Sequence, residues 1–286
     1  MSKKLKIAIQ KSGRLQEQSI KMLKECGLNF SNGSSRLKTE VDNFPAEILF
    51  LRDDDIPQYV EDSVADLGII GENVFIEKEK QGEVILKLGF AKCRLSIAIP
   101  KSDEYKDAST LNGKKIATSY PVIVQKFLDD NNVNAEIHEI SGSVEIAPGI
   151  GLAEAICDIV STGSTLMTNG LKEVETIMKS EAILVANSNL DSESKAILDR
   201  LIFRINAVNA SKSNKYLVLN APNNAIEAIT KVLPGMKSPT VTPLQEEGWS
   251  SLHSVVNENE FWEKIDELKV LGAQGILVIP IEKMIL

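Results

Sequence analysis

The sequence is poor in the residues that many binding and redox chemistries require. Among its 286 residues there are two histidines, three cysteines and two tryptophans, and aromatics make up 5%. So few rings exclude base stacking on an aromatic platform as the main activity. Cys26, Cys93 and Cys157 lie far apart, form no C-x-x-C pair and are odd in number. A full disulfide framework is therefore disfavoured, and reduced thiols in a cytoplasmic protein are expected. Cations are in deficit, 32 against 40 acids, for a net charge of −8. That balance speaks against general nucleic-acid binding. It leaves room for a small anionic substrate, because backbone N–H groups gathered in a turn bind phosphate within an acidic protein. No apolar run approaches the ~20 residues of a membrane span. The basic start, Met1 to Gln10, has an apolar stretch too short for a signal-peptide core before it breaks into Gln10-Lys11. A soluble, unexported chain with no membrane or nucleic-acid partner is expected.

What is present is an alternation of short apolar runs and amphipathic stretches. At ~100–200 residues per domain the length suggests two or three domains. Residues 5–10 read as a strand, then a turn at Ser12-Gly13, then a helix from Gln16 to Glu25 stopped by Gly27. Ile48 to Leu51 fits a buried strand, and Ile56 to Ser63 a helix with Pro57 in its first turn. Asp66 to Gly71 is again strand and turn. A second unit of the same kind begins near Cys93. It has strands at 95–100, 115–119 and 136–140, a helix over Val122–Asp129, and a helix over Gly151–Ile156 that runs into strand 158–160. Ala182 to Ala186 returns the chain to the first unit. Alternating strands and helices imply parallel sheets, here two α/β units around a cleft. From Tyr216 onward the order is β-α-β-β-α-β, the split ferredoxin-like unit. The polar segment Asn206 to Asn214 marks the junction before it.

The strongest local feature is an apolar strand, Asp158-Ile159-Val160, ending in Ser161-Thr162-Gly163-Ser164-Thr165. A helix starting there would offer converging backbone N–H donors, hydroxyls and a favourable dipole to a phosphate. Spacing alone equally allows an ordinary N-cap turn. It is not a P-loop, since G-x-x-x-x-G-K-[ST] is absent. Asp158, with Glu145 and Glu154 upstream, offers oxygen ligands for Mg²⁺ or sugar hydroxyls. Asp53-Asp54-Asp55 reads as a helix N-terminus rather than a metal site. His138 and His253 fall in separate strands and read as structural or surface residues, and Cys157 as core.

The run from Glu145 through Gly151, Ala153, Ile156 and Asp158 to Thr162-Gly163 and Thr165-Leu166 resembles the signature of the ATP phosphoribosyltransferase family, in its long form. Gln10-Lys11-Ser12-Gly13-Arg14-Leu15, Arg52 to Pro57, Asp66 to Asn73, Ile116 to Pro121 and Pro234 to Val241 extend the resemblance along the chain. The family transfers phosphoribosyl from phosphoribosyl pyrophosphate (PRPP) to N1 of ATP, with Mg²⁺, as the first step of histidine biosynthesis. The resemblance implies two α/β domains of the type II periplasmic-binding kind plus a ferredoxin-like (ACT-like) domain. Their expected bounds are 1–91 with a return segment 181–208, 92–180, and 209–286. It implies PRPP on Glu145, Asp158, Val160, Ser161, Thr162, Gly163, Ser164 and Thr165, and ATP on Arg14, Arg52, Asp66, Gly71 and Tyr120. Asp158, Lys11 and Arg14 would act in catalysis, with Arg94 a further cation for pyrophosphate; the metal ligands are not defined.

Histidine, as feedback inhibitor, would meet Asn220, Met236, Thr240 and Gly275, although the neutral Asn220 stands where the family often has an acid. Homo-oligomers, dimeric and hexameric, are implied. Two other readings stay open at this level: a phosphoribosyltransferase with another acceptor, and a non-enzymatic bilobed sensor of small molecules.

Overall fold

A computed structural model describes residues 3–31 and 37–285. The chain forms two compact units, residues 1–21 with 28–197, and residues 22–27 with 198–286. The first unit opens with β1 (Leu5–Gln10), α1 (Arg14–Glu25), β2 (Lys38–Glu40), β3 (Ala46–Leu51), α2 (Ile56–Glu61), β4 (Leu67–Gly71), α3 (Glu72–Lys78) and β5 (Glu83–Lys87). It continues with β6 (Cys93–Pro100), β7 (Lys115–Thr118), α4 (Pro121–Asp130), β8 (Glu136–Glu139), β9 (Ala155–Val160), α5 (Ser164–Thr168) and β10 (Leu171–Ser180). Strand β11 (Ala182–Ala186) and helix α6 (Ser192–Lys212) follow.

These strands make two sheets, ordered β2-β3-β1-β4-β11-β5 and β10-β6-β9-β7-β8. In the first, β3, β1 and β4 run parallel, and β11 runs antiparallel to both β4 and β5. In the second, β8, β7 and β9 run parallel, and β6 is antiparallel to both β9 and β10. Apart from β2, the two sheets share one plan: three parallel strands, one antiparallel strand, then an edge strand. The antiparallel strand is β11 in one lobe, returning after the whole of the other, and β6 in the second. This is the discontinuous, type II periplasmic-binding architecture expected from the sequence. Central strands are covered on both faces, so they read as unbroken apolar runs. Ile7, Ala8 and Ile9 are fully buried, as are Leu67, Ile69 and Ile70.

The second unit holds β12 (Asn214–Pro222), α7 (Ile226–Val232), β13 (Thr240–Pro243), β14 (Trp249–Asn257), α8 (Glu258–Val270) and β15 (Gln274–Pro280). Its antiparallel sheet is ordered β13-β14-β12-β15, the split ferredoxin-like order. Leu217, Leu219 and Leu252 on one face pack with Ile229, Phe261 and Leu268 of the two helices. The other face is open, and Leu277 on it is 56% exposed.

Two expectations are corrected. Residues 151–156 form no helix: short 3₁₀ turns end at Ile150, a bend follows, and β9 starts at Ala155. Pro148 lacks a donor, and Gly149 and Gly151 disfavour a helix interior. Asn206 to Lys212 is not a linker but the last two turns of α6. Buried Ser194, Ile197, Leu201, Ile205 and Val208 supply its stripe at helical spacing. Among the described residues no helix is long and apolar enough to cross a membrane.

Two features of the first lobe carry measurable energy. Gly68 lies where α2 rests on β4: a Cβ there would stand 2.7 Å from Ile56 Cγ2 and 3.1 Å from Val60 Cγ2. Asp53 heads the 3₁₀ turn before α2, and its buried Oδ1 has no partner among the described residues. Burial first, then the charge of Asp54, pushes its carboxyl up to about 6, against the pull of Lys78. Gly68→Ala should cost about 1–3 kcal/mol through overpacking, read as a lower denaturation midpoint; an unchanged midpoint would contradict the close approach. For Asp53 the fold favours the protonated form. Its contribution is fully present below the ordinary value of 3.8 and is lost as pH rises through about 6. Asp53→Asn should therefore raise the midpoint more at about pH 8 than at about pH 4.5. Equal shifts at the two pH values would show that Asp53 titrates normally.

Candidate active site

Ligands of open parallel sheets bind outside the carboxyl ends of the strands. In the first lobe β1 and β3 end side by side, Gln10 opposite Leu51, and the Lys11 N–H donates to Leu51 O at 2.8 Å. Lys11, Arg14 and Arg52 thus leave the sheet at one edge, with Gly71 at the same end of the parallel strand β4. All three cations are exposed, and among the described residues none has a carboxylate partner. In the second lobe β7 and β9 are parallel neighbours, so Ser119-Tyr120 and the turn 161–165 leave that sheet together.

The turn is open. Gly163 has φ +80°, a left-handed conformation that a Cβ would strain. Among the described residues the N–H groups of Ser161, Thr162 and Gly163 have no protein acceptor. The first N–H groups of α5, starting at Ser164, are the orphans left at any helix start. The hydroxyls of Thr162 and Ser164 lie 3.1 Å apart and both residues are partly or fully open to solvent. Behind the turn, Arg94 Nη1 donates to Ser161 O at 3.2 Å. Its Nε and Nη2 donate to the two oxygens of Glu173, each at 2.5 Å. Arg94, expected from the sequence as a cation for pyrophosphate, is therefore a clamp on the turn, with its charge already paired.

Asp158 sits half-buried on β9 and accepts the Ile159 N–H at 2.7 Å. Burial raises its carboxyl, that N–H opposes the shift, and the charge of Glu145 adds to it. Two carboxylates close enough for one to feel the charge of the other, next to an open turn, are suited to a hard cation. Mg²⁺ characteristically takes one or two carboxylates and completes its shell with water and substrate phosphate. Among the described residues no group of three or more His, Cys, Asp or Glu forms a ready-made metal cage.

Tyr120 accepts a hydrogen bond from Asn73 Nδ2 at 3.1 Å. Burial, then the charge of Asp158 and, more weakly, of Asp53, pushes its phenol up.

Some expected residues lie elsewhere. Asp66 is at the start of β4, the end opposite Gly71, and its carboxylate accepts the Lys6 N–H at 2.8 Å. Five residues at ~3.3 Å each separate it from the edge where Gly71 lies, so the fold does not bring it together with Arg14, Arg52 and Gly71. Glu154 is likewise at the far end of β9, accepting the Lys115 N–H at 2.8 Å. Sequence reasoning also missed a cavity of about 370 Å³ whose lining includes Ser161, Arg94, Lys92, Lys179, Lys87 and Glu72. Lys179 stands directly opposite Arg94 across the β10–β6 pair. Register shifts in β10 break the alternation by which a strand is read, and with it any sequence signal for this wall.

In the second unit Asn220 pairs with Gln274 on β15 and Ser251 on β14. A Cβ on Gly275 would lie 3.5 Å from Asn220 Nδ2. Thr240, paired with His253 on β14, shares the open face of the sheet with Asn220. Met236 lies exposed in the loop before β13.

Comparison with known proteins agrees over the whole chain. The family model "ATP phosphoribosyltransferase" matches residues 52–207, and that of the "HisG, C-terminal domain" matches residues 211–283. An ATP phosphoribosyltransferase of Cytophaga hutchinsonii is 61% identical over 285 residues, covering 100% of both chains. One of Bacteroides thetaiotaomicron is 59% identical over 281 residues, 98% of this chain and 99% of the relative. Among solved structures, the ATP phosphoribosyl transferase (HisG:HisZ) complex from Thermotoga maritima is similar at a TM-score of 0.60 and 31% identity. That match covers 70% of this chain and 98% of the other. The chain belongs to the ATP phosphoribosyltransferase family, long-form pentosyltransferases that open histidine biosynthesis.

Proposed function

We propose that the turn 161–165 cradles the 5′-phosphate of PRPP, with the transfer to N1 of ATP taking place between it and the β1–β3 edge. The observation that carries this reading is the set of backbone N–H groups at Ser161, Thr162 and Gly163 left, among the described residues, without protein acceptors in an open turn. Such donors converge on an anion without needing a net basic protein. Val160 anchors the turn in the sheet as a buried residue. Asp158 binds the ribose hydroxyls. With Glu145 it would face Mg²⁺, which would supply positive charge to the departing pyrophosphate.

The bond from ribose C1 to the pyrophosphate oxygen breaks, and its electron pair leaves with pyrophosphate. The lone pair of adenine N1 then forms the new C1–N bond. The sugar between the two is cationic, so the residues act by charge and position, with no side-chain nucleophile. Lys11 and Arg14, cations at the facing edge with no carboxylate partner among the described residues, take the polyphosphate charge. Arg52, Gly71 and Tyr120 complete the nucleotide side.

The catalytic part spans 1–91 with 181–208, together with 92–180. Residues 209–286 act as an ACT-like regulatory domain, entered through α6. Histidine binds there near Asn220 and Gly275, with Met236 and Thr240 at the same sheet. The exposed apolar side chains of Leu277 and Ile279 suit a homo-oligomer, a dimer assembling further to a hexamer. The compartment is the cytoplasm, where the buried thiols of Cys26 and Cys157 stay reduced.

With ATP, PRPP and Mg²⁺ the wild-type chain should release pyrophosphate stoichiometrically with N1-phosphoribosyl-ATP. Thr162→Val and Gly163→Val should weaken PRPP binding about 10- to 100-fold, the loss of one or two bonds to a charged group, with the fold intact by circular dichroism. Wild-type affinity in both would refute the cradle. Calorimetric titration with histidine should give a binding signal that Thr240→Val and Asn220→Leu each weaken; an unchanged signal in both would place the effector elsewhere.

A further inference from the structure

Helix α4 begins with a cap that its own sequence does not supply. Its N-cap residue, Tyr120, makes no side-chain cap bond, and Pro121 has no N–H to satisfy. The next two donors, the N–H groups of Val122 and Ile123, go instead to Glu77 Oε1 at 2.9 Å and Oε2 at 3.0 Å. Glu77 is a buried residue of α3, and α3 belongs to the other lobe. A carboxylate at a helix N-terminus is favoured both by the orphan donors and by the dipole. Here both oxygens are used, so the cap also fixes how α4 sits on α3.

Helix α3 is itself capped from the connection between the lobes. The Glu72 N–H donates to Glu181 O at 2.9 Å, and the Asn73 N–H to Ser180 Oγ at 3.1 Å. Ser180 Oγ in turn donates to Asn73 Oδ1 at 2.8 Å. That bond orients the Asn73 amide so that its Nδ2 points at Tyr120 Oη. The chain of bonds thus runs from the hinge through α3 to the residue whose phenol feels the charge of Asp158. The Tyr120 hydroxyl accepts from Asn73, which leaves its own proton free to donate. The Tyr120 N–H donates to Thr118 Oγ1 at 3.0 Å and its carbonyl accepts the Val124 N–H at 3.0 Å, bonds that hold only the backbone.

We infer that Glu77 is a positioning residue: it docks α4 of one lobe on α3 of the other and thereby aims the Tyr120 hydroxyl at the nucleotide side of the cleft. The assignment rests on the reading of Tyr120 as an ATP-side residue. The phosphate turn hangs from β9 and α5, and among the described residues no hydrogen bond links it to Glu77, so PRPP binding is independent of the latch. Loss of the latch moves the kinetics of one substrate and spares the other.

The test is a double-mutant cycle on the full chain with Glu77→Gln, Tyr120→Phe and the pair. Steady-state kinetics are read for ATP, and calorimetry for PRPP. Glu77→Gln keeps one acceptor oxygen and so keeps the helix contact in part. It should lower kcat/KM for ATP about tenfold while the PRPP dissociation constant stays within about twofold. In the Tyr120→Phe background it should lower kcat/KM by no more than about twofold, because Glu77 acts through that hydroxyl.

Independent, multiplying losses in the double variant would overturn the inference, as would equal losses for ATP and PRPP or wild-type ATP kinetics in Glu77→Gln. Wild-type turnover is measured first. Should the transfer reaction itself fail, the same cycle read on calorimetric ATP affinity still decides the role of Glu77.

Discussion

Everything at the site depends on β9 being held between an antiparallel neighbour, β6, and a parallel one, β7. The pairing with β7 places Tyr120 and the proposed phosphate turn at the same edge of the sheet. The pairing with β6 brings Arg94 opposite Val160, from where it clamps Ser161 O and holds Glu173. A strand fixed on both sides ends abruptly, and the residues beyond it are free to present N–H groups outward. The turn is open because the strand before it is rigid.

Charge is handled locally. A chain of net charge −8 would repel polyphosphates if its acids were evenly spread. Instead Lys11, Arg14 and Arg52 stand at one sheet edge without carboxylate partners among the described residues, and the acids near them are diverted. Asp54 pairs with Lys78 at 3.3 Å, while Asp53 is pushed toward neutrality by burial. Of the two carboxylates left by the turn, Asp158 has its carboxyl raised first by burial, against the Ile159 N–H, and then by the charge of Glu145; in the proposed reading a cation arriving with substrate would relieve that shift.

How much of this was legible in the sequence follows from what each signal measures. Strand ends marked by glycine or serine were readable, so the Lys11–Arg14 turn, the 161–165 turn and the ferredoxin-like tail were anticipated, with the tail's strand order following from its element order. Helix α6 was not anticipated at all, and its last turns were read as a junction because Asn206, Asn209 and Ser211 give them a polar stretch. The Gly151 segment was misread because apolar spacing was weighed without its proline and glycines. Asp66 shows a different limit: it is five residues from Gly71 in the motif, yet a strand carries it to the opposite end of the sheet. Glu77 left no signal at all. Its partners are backbone N–H groups in another lobe, and no pattern of side chains reports them.

The central claim is that backbone donors at 161–165 bind phosphate. Amide NMR of the full chain during PRPP titration tests it most directly, because it reads those N–H groups themselves. The account predicts saturable downfield shifts of the Ser161, Thr162, Gly163 and Ser164 amide protons. Saturation by PRPP with those four resonances unmoved, and shifts confined to another part of the chain, would contradict it.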